Sequence, residues 1–234
     1  SRALQLRPLK RLETLELRAF LTLDLAFARS LFGASPNLTE LHLPTGYFDS
    51  GDTLAMLPRL RVLKVAGLFA ELPLEQLAHL PALQETSLYS IVKLPERPLR
   101  LDQQQHLRLY RVFNHSNWAN VQMPALHTLY CEQLPDDPHR HFSLLSRAAP
   151  NLTTLLLYEP VGKHPALLAL AKQDAQDRDR SVCFPKLREV RYFCGDDETP
   201  SSADYIAARD ELLRVRPQVQ LSWRDDGGAL DLLW

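Results

Sequence analysis

Three groups of residues in this chain have side chains that could do chemistry. Asp136 and Asp137 stand just ahead of His139 and His141, two carboxylates and two imidazoles of the kind that hold a divalent metal. Their spacing matches no zinc-ligand pattern, so the stretch reads as a charged surface loop. Cys194 is followed by Gly195 and Asp196, which sets a carboxylate beside a thiol. A cysteine at a strand end is more commonly a small core residue than a nucleophile. The sequence offers no Ser-His-Asp set, no carboxylate pair across a cleft and no glycine-rich phosphate loop. It therefore reads as a chain without catalytic residues, cofactor or metal. The third group suits recognition. Tyr89, Tyr110, Tyr130, Tyr158 and Phe193 recur at long intervals, with Arg108, Leu156 and Arg191 among them. Tyrosine and arginine dominate the energetics of protein interfaces.

Composition narrows the classes. The chain has 234 residues, with 27 basic and 28 acidic side chains and a net charge of -1. That balance argues against a dedicated nucleic-acid binder and against a polybasic membrane anchor. No apolar run approaches the roughly 18 to 20 residues a membrane helix needs. The first residues, Ser1 to Leu6, lack the apolar core of a signal peptide. Three cysteines do not make a disulfide framework, so a reducing compartment is expected, cytoplasmic or nuclear. The sequons at Asn37, Asn114 and Asn151 are then accidental. The length fits one large domain.

Leucine accounts for 48 residues and proline for 17, against 8 glycines. The excess is periodic. Pro36-Asn37-Leu38-Thr39-Glu40-Leu41-His42-Leu43 is one unit, and Pro58 to Val65 repeats it. Further copies run from Pro81 to Leu88 (with Thr86 in a leucine slot), Pro124 to Cys131, Pro150 to Leu157 and Pro185 to Tyr192. Lys10 to Leu17 lacks the proline, and Gln104 to Leu109 is a degraded copy. The closing positions Leu17, Leu43, Val65, Leu88, Leu109, Cys131, Leu157 and Tyr192 are 26, 22, 23, 21, 22, 26 and 35 residues apart. All but the last spacing fall in the range of leucine-rich repeats, about 20 to 29 residues.

In Leu-x-Leu, alternate side chains share one face of a short strand. One unit cannot bury that face alone, so neighbours must stack. The expected fold is α/β, a horseshoe-shaped solenoid with a parallel concave sheet. Helices or irregular segments return along the convex side. Helices are expected over Ala19–Phe32, Leu74–Leu80, His141–Ala149 and Pro165–Ala175, with Lys172–Arg180 a charged extension. Ser202–Arg216 reads as a helix with Ile206, Leu212 and Leu213 inward, stopped by Pro217 and followed by a strand through Val219, Leu221 and Trp223. The repeats then occupy about 10–200 and a C-terminal cap 201–234, all in one domain. No matching cap is legible before Lys10, and the chain reads as a fragment of a longer one.

The repeat units resemble those of leucine-rich-repeat proteins over nearly the whole chain. Within that class, Pro36 to Leu41, Met123 to Leu129, Ala149 to Leu155 and the ending Glu211 to Trp223 resemble the F-box–leucine-rich-repeat group, especially its fungal members. That resemblance implies a substrate receptor that joins a Skp-type adaptor and a cullin ubiquitin ligase through an F-box. The present sequence shows no F-box segment ahead of Lys10. The alternatives are a leucine-rich-repeat scaffold in another complex and, more remotely, a cysteine ubiquitin ligase. The latter rests on the likeness of Cys194-Gly195-Asp196 to the Cys-x-Asp of bacterial leucine-rich-repeat ligases.

The solvent-facing strand positions then form three columns, and the eight recognition residues lie in two of them. They are expected to receive a protein or peptide, with a small molecule also conceivable. A competing expectation has the same rings packing the repeat junctions. On the first expectation, replacing Tyr110 and Tyr130 with alanine weakens capture and leaves the melting temperature nearly unchanged. Trp118 and the polar stretch Asn114–Asn120 are either a recognition lip or an insertion.

Overall fold

The computed structural model describes residues 8–17, 25–43, 51–66, 71–113, 115–131, 137–159, 165–176, 183–194 and 202–225. Its elements in chain order begin β1 Thr14–Glu16, α1 Leu25–Ala34, β2 Glu40–Leu43, α2 Gly51–Leu54, β3 Val62–Val65 and β4 Glu71–Pro73. A 3₁₀ helix Leu74–His79 leads to β5 Glu85–Lys93, β6 Leu99–Arg100 and β7 His106–Phe113. A second 3₁₀ helix, His115–Asn120, precedes β8 Val121–Gln122, β9 Thr128–Cys131, α3 Pro138–Ala148, β10 Thr154–Glu159 and α4 Pro165–Gln176. The described chain closes with β11 Glu189–Cys194, α5 Ala203–Val215 and β12 Gln220–Asp225.

Nine strands form one all-parallel path in chain order, β1-β2-β3-β5-β7-β9-β10-β11-β12, while β4 pairs with the far end of β5. The short strands β6 and β8 pair separately, which no leucine spacing foreshadows. A single device organises the large sheet. At seven successive strand entries, β2 to β11 along this path, one carbonyl accepts two successive amides of the next unit, and at β12 Arg188 accepts the Gln220 amide. Glu13 accepts from Thr39 and Glu40, Thr39 from Arg61 and Val62, and the pattern continues through Thr153, which accepts from Arg188 and Glu189. Ahead of it lies a turn closed by an amide three residues on: Leu38 to Ser35, Leu60 to Leu57, Leu83 to Leu80, Leu126 to Met123, Leu152 to Ala149, Leu187 to Phe184. The second residue of each of these turns is the recurring proline, whose fixed φ suits that position.

Two sequons gain a physical reading from the same junctions. The Asn37 side chain donates to the Lys10 carbonyl at 2.8 Å and Thr39 Oγ1 to the Glu13 carbonyl at 3.1 Å. Asn151 and Thr153 do the same to Pro124 and His127, at 2.6 and 3.0 Å. Asn-Leu-Thr is thus a brace to the preceding unit.

The core lies between the inward leucines of the strands and the helices: Leu38, Leu41, Leu63, Leu88, Leu109, Leu129, Leu155 and Val190 pack with Phe32, Leu77, Phe142, Leu170 and Leu212. The two polar departures from the leucine pattern turn out to be one interaction. Thr86 is buried and donates to Gln104 Oε1 at 3.0 Å, while the Gln104 amide donates to the Gln84 and His106 carbonyls at 3.2 and 2.6 Å.

Several expected helices shift. Ala19–Phe32 is found as Leu25–Ala34, residues 19–24 lying outside the described ones. The Asp137–His141 stretch is not a loop: Asp137 caps α3 by accepting the Arg140 amide at 3.1 Å, and Pro138 takes the first turn. In α5 the buried stripe is Tyr205, Ala208 and Leu212, with Ile206 and Leu213 half-buried. Tyr205 packs on Tyr192 and Trp223 with ring centroids 5.9 and 4.5 Å away, an aromatic plug between α5 and the last strands. Trp118 is fully buried, so its ring packs the 3₁₀ helix that carries it against the core and does not itself face a partner. It meets His141, which also contacts His115 with ring centroids 5.0 Å apart. Residues 114, 132–136, 177–182, 195–201 and 226–234 lie outside the described ones, and with them Asp136, most of the charged extension after α4 and the end of the cap.

Burial pushes His141 down to about 3 and also lowers His115. Neither His141 ring nitrogen has a hydrogen-bond partner among the described residues. A depressed folded-state value means that protonation favours the unfolded chain. The neutral pair is therefore fully stabilising above about pH 6.5, and that stability drains as pH falls toward 3. Wild type should lose up to about 1.4 kcal/mol per pH unit relative to His141→Phe below pH 6.5, read by urea denaturation across pH. Parallel profiles would show that the imidazole is not buried. For the polar pair, Thr86→Val alone should cost about 1–3 kcal/mol by orphaning Gln104. The Thr86→Val, Gln104→Leu double variant should lose less than the sum of the two single changes, a coupling a four-protein denaturation cycle measures.

Candidate functional site

The register sets the side chains of the sheet's open face in rows. The middle row runs Glu16, His42, Lys64, Ser87, Arg108, Tyr130, Leu156, Arg191, Ser222, each on a neighbouring strand. A second row, two residues earlier, runs from Thr14 through Glu40, Val62, Glu85, His106, Thr128, Thr154 and Glu189 to Gln220. These are the columns that the leucine spacing predicts. Alternation drives them outward, because their neighbours on each strand fill the core.

A depression of about 210 Å³ opens on this face. Its side chains come from β3 (Val62, Lys64), β5 (Glu85, Ser87), β7 (His106, Arg108), β9 (Thr128, Tyr130) and β10 (Leu156). The Arg108 guanidinium carbon sits 4.4 Å from the centre of the Tyr130 ring. Tyr130 in turn meets Phe193 edge-on at 6.3 Å. Tyr89 and Tyr110 form a separate tilted pair, ring centroids 4.2 Å apart, within the bulge where β5 gains a residue on β7. Leu156 lies in register between Tyr130 and Arg191, and Tyr158 beside Phe193. Arg191 is claimed by Glu189, with contacts of 2.7 and 3.2 Å. His42 is claimed by Glu40 at 2.7 Å.

The eight residues singled out from sequence thus divide. Arg108, Tyr130 and Leu156 line the depression. Tyr89, Tyr110, Tyr158 and Arg191 are half-buried beside it or beyond it. Tyr130 and Phe193 are 8% and 4% exposed, so they are as much packing as surface. The expectation that Tyr130 can be truncated without loss of stability is therefore corrected. Sequence reasoning did not select Lys64, Ser87 or Val62. The signal available was their place in the rows, where a small residue separates two cations.

Other chemical candidates recede. Cys131 is buried, and burial pushes its thiol up to about 12, which removes it as a nucleophile near neutral pH. Cys183 is buried and donates to the Phe142 carbonyl at 3.1 Å. Cys194 ends β11, and its side chain and Asp196 lie outside the described residues. Among the described residues no group of three or more His, Cys, Asp or Glu could hold a metal ion. None of their helices is long and apolar enough to cross a membrane.

No protein-family model matches this chain, and no curated protein matches it.

Tyr130→Ala should destabilise the fold by about 3 kcal/mol, in line with removal of other buried aromatics. Tyr110→Ala, which leaves a half-buried ring's place to solvent, should cost about 1 kcal/mol. Urea denaturation of both variants decides, and equal small losses would return Tyr130 to the surface.

Proposed function

We propose that the chain is a recognition module: a leucine-rich-repeat solenoid whose open sheet face is the concave side and receives a protein partner. What supports the solenoid is the all-parallel path in chain order, built from one junction repeated at successive strand entries. What carries the recognition reading is the depression. It joins apolar side chains, an arginine on an aromatic ring and a lysine on a face that the core does not need. An apolar lining with a few convergent polar groups is the make-up of binding pockets in folded proteins.

The module serves best as the substrate-receptor part of a Skp–cullin–F-box ubiquitin ligase, in the cytoplasm or nucleus. On this reading ubiquitin transfer belongs to the partner ligase and not to residues of this chain. This step rests on the resemblance of the repeat units and the terminal helix and strand to that group. A scaffold role in a different assembly shares every feature of the face and differs only in what accompanies it.

Affinity purification of the full-length gene product from its own cells separates the two. Recovery of a Skp-type adaptor and a cullin is the expected result. A different assembly with neither protein would leave the scaffold role standing. Tyr89→Ala with Tyr110→Ala should reduce recovery of the remaining partner severalfold while the adaptor stays bound, as quantitative mass spectrometry would read.

A further inference from the structure

We infer that the groove along the strand entries of β10, β11 and β12 is a docking site for an acidic protein segment, with Lys186 and Arg188 as its anchors. This deepens the recognition reading above and rests on it, adding the chemistry of one partner segment.

The groove encloses about 810 Å³, against about 210 Å³ for the depression on the same sheet. The repeated junction builds it. The Thr153 carbonyl accepts the Arg188 and Glu189 amides, and the Arg188 carbonyl accepts the Gln220 amide at 2.8 Å. Arg188 is thereby fixed between the entries of β10 and β12. Lys186 is the third residue of the turn that the Leu187 amide closes on the Phe184 carbonyl. Both residues are exposed, and both line the groove. Groove and depression meet on β10, where Thr154 lines the first and Leu156 the second. One partner can lie across both.

Charge decides what the groove takes. Neither the Lys186 ammonium nor the Arg188 guanidinium has a hydrogen bond or an ion pair among the described residues. Glu189 is the one carboxylate among the described lining, and Arg191 holds both its oxygens, at 2.7 and 3.2 Å. The groove therefore presents two positive charges with no free counter-charge of its own. Gln218 and Gln220, exposed in the same lining, each offer an amide donor and a carbonyl acceptor to a peptide backbone. A single exposed ion pair contributes little, so the occupant needs two acids to hold both cations. Two cations fall far short of the run of phosphate contacts that anchors a nucleic acid. The complementary occupant is a protein segment with at least two Asp or Glu within a few residues.

The test is selection of a random peptide library on the whole chain and on its Lys186→Glu, Arg188→Glu variant. Both changes fall on exposed positions, and an unchanged thermal midpoint shows that the variant folds. Lys186→Gln with Arg188→Gln takes its place if the midpoint falls. Wild type should enrich peptides with paired acids, and the variant should lose them. A synthetic peptide of the enriched sequence should bind the glutamine variant about tenfold more weakly by calorimetry, with affinity falling as salt rises. Carbodiimide should couple a carboxylate of that peptide to Lys186 of the wild type, as mass spectrometry of the digest reads. Enrichment without acids, equal enrichment on both proteins, or coupling only at other lysines overturns the groove as the docking site. A partner still captured from cells then keeps the recognition reading. No enrichment on wild type overturns the groove as well, and if cells also yield no partner the recognition reading falls with it.

Discussion

Everything in this molecule depends on one carbonyl per unit that accepts two amides from the unit after it. A parallel strand has no hairpin to hold it and no partner within its own unit, so its polar backbone must be satisfied by neighbours on both sides. The shared carbonyl does this at the point where each strand begins, from Glu13 to Thr153. The proline turn sets the chain's approach, and the asparagine and threonine of two units tie the same junction with side chains. Because each junction fixes where a strand starts, register follows with no further specification. Leucines then meet leucines in the core, and the outward residues line up in rows.

The face inherits its chemistry from that register. Lys64, Ser87 and Arg108 are far apart in sequence and become neighbours only because three strands start level. A slip of one residue would send all three toward the core. The same constraint explains why Tyr130 can be both wall and packing. It stands in the outward row, yet Arg108 and Phe193 close over it from either side.

Much of the strand order is legible from sequence, because leucine spacing and proline turns are local signals of one repeated junction. The rows are legible for the same reason. Burial on the open face is not. Whether Tyr130 or Tyr110 is covered depends on ring contacts across strands, which no spacing encodes. In α5 Leu212 is buried where spacing sets it, but the first inward residue falls one position earlier. Ile206 is the more apolar residue, but Tyr205 is the one buried, and its partners Tyr192 and Trp223 are met only in three dimensions. Asp137-Pro138 is a capping signal for α3, and the histidines beside it mask that signal with the look of ligand chemistry. Thr86 and Gln104 look like two lapses in a pattern. Each is a fault alone, and only their adjacency makes them a pair.

That pair has a meaning for how such an array can change length. Most junctions in this sheet bring leucine against leucine, so a duplicated unit spliced there would meet a surface much like the one it displaced. Between Thr86 and Gln104 the surfaces are not interchangeable. A unit inserted at that point would part the hydroxyl from the amide and bury both against hydrocarbon. The junction of β5 and β7 is thus a fixed address in an otherwise repetitive chain, and growth or loss of units is tolerated on either side of it before it is tolerated there.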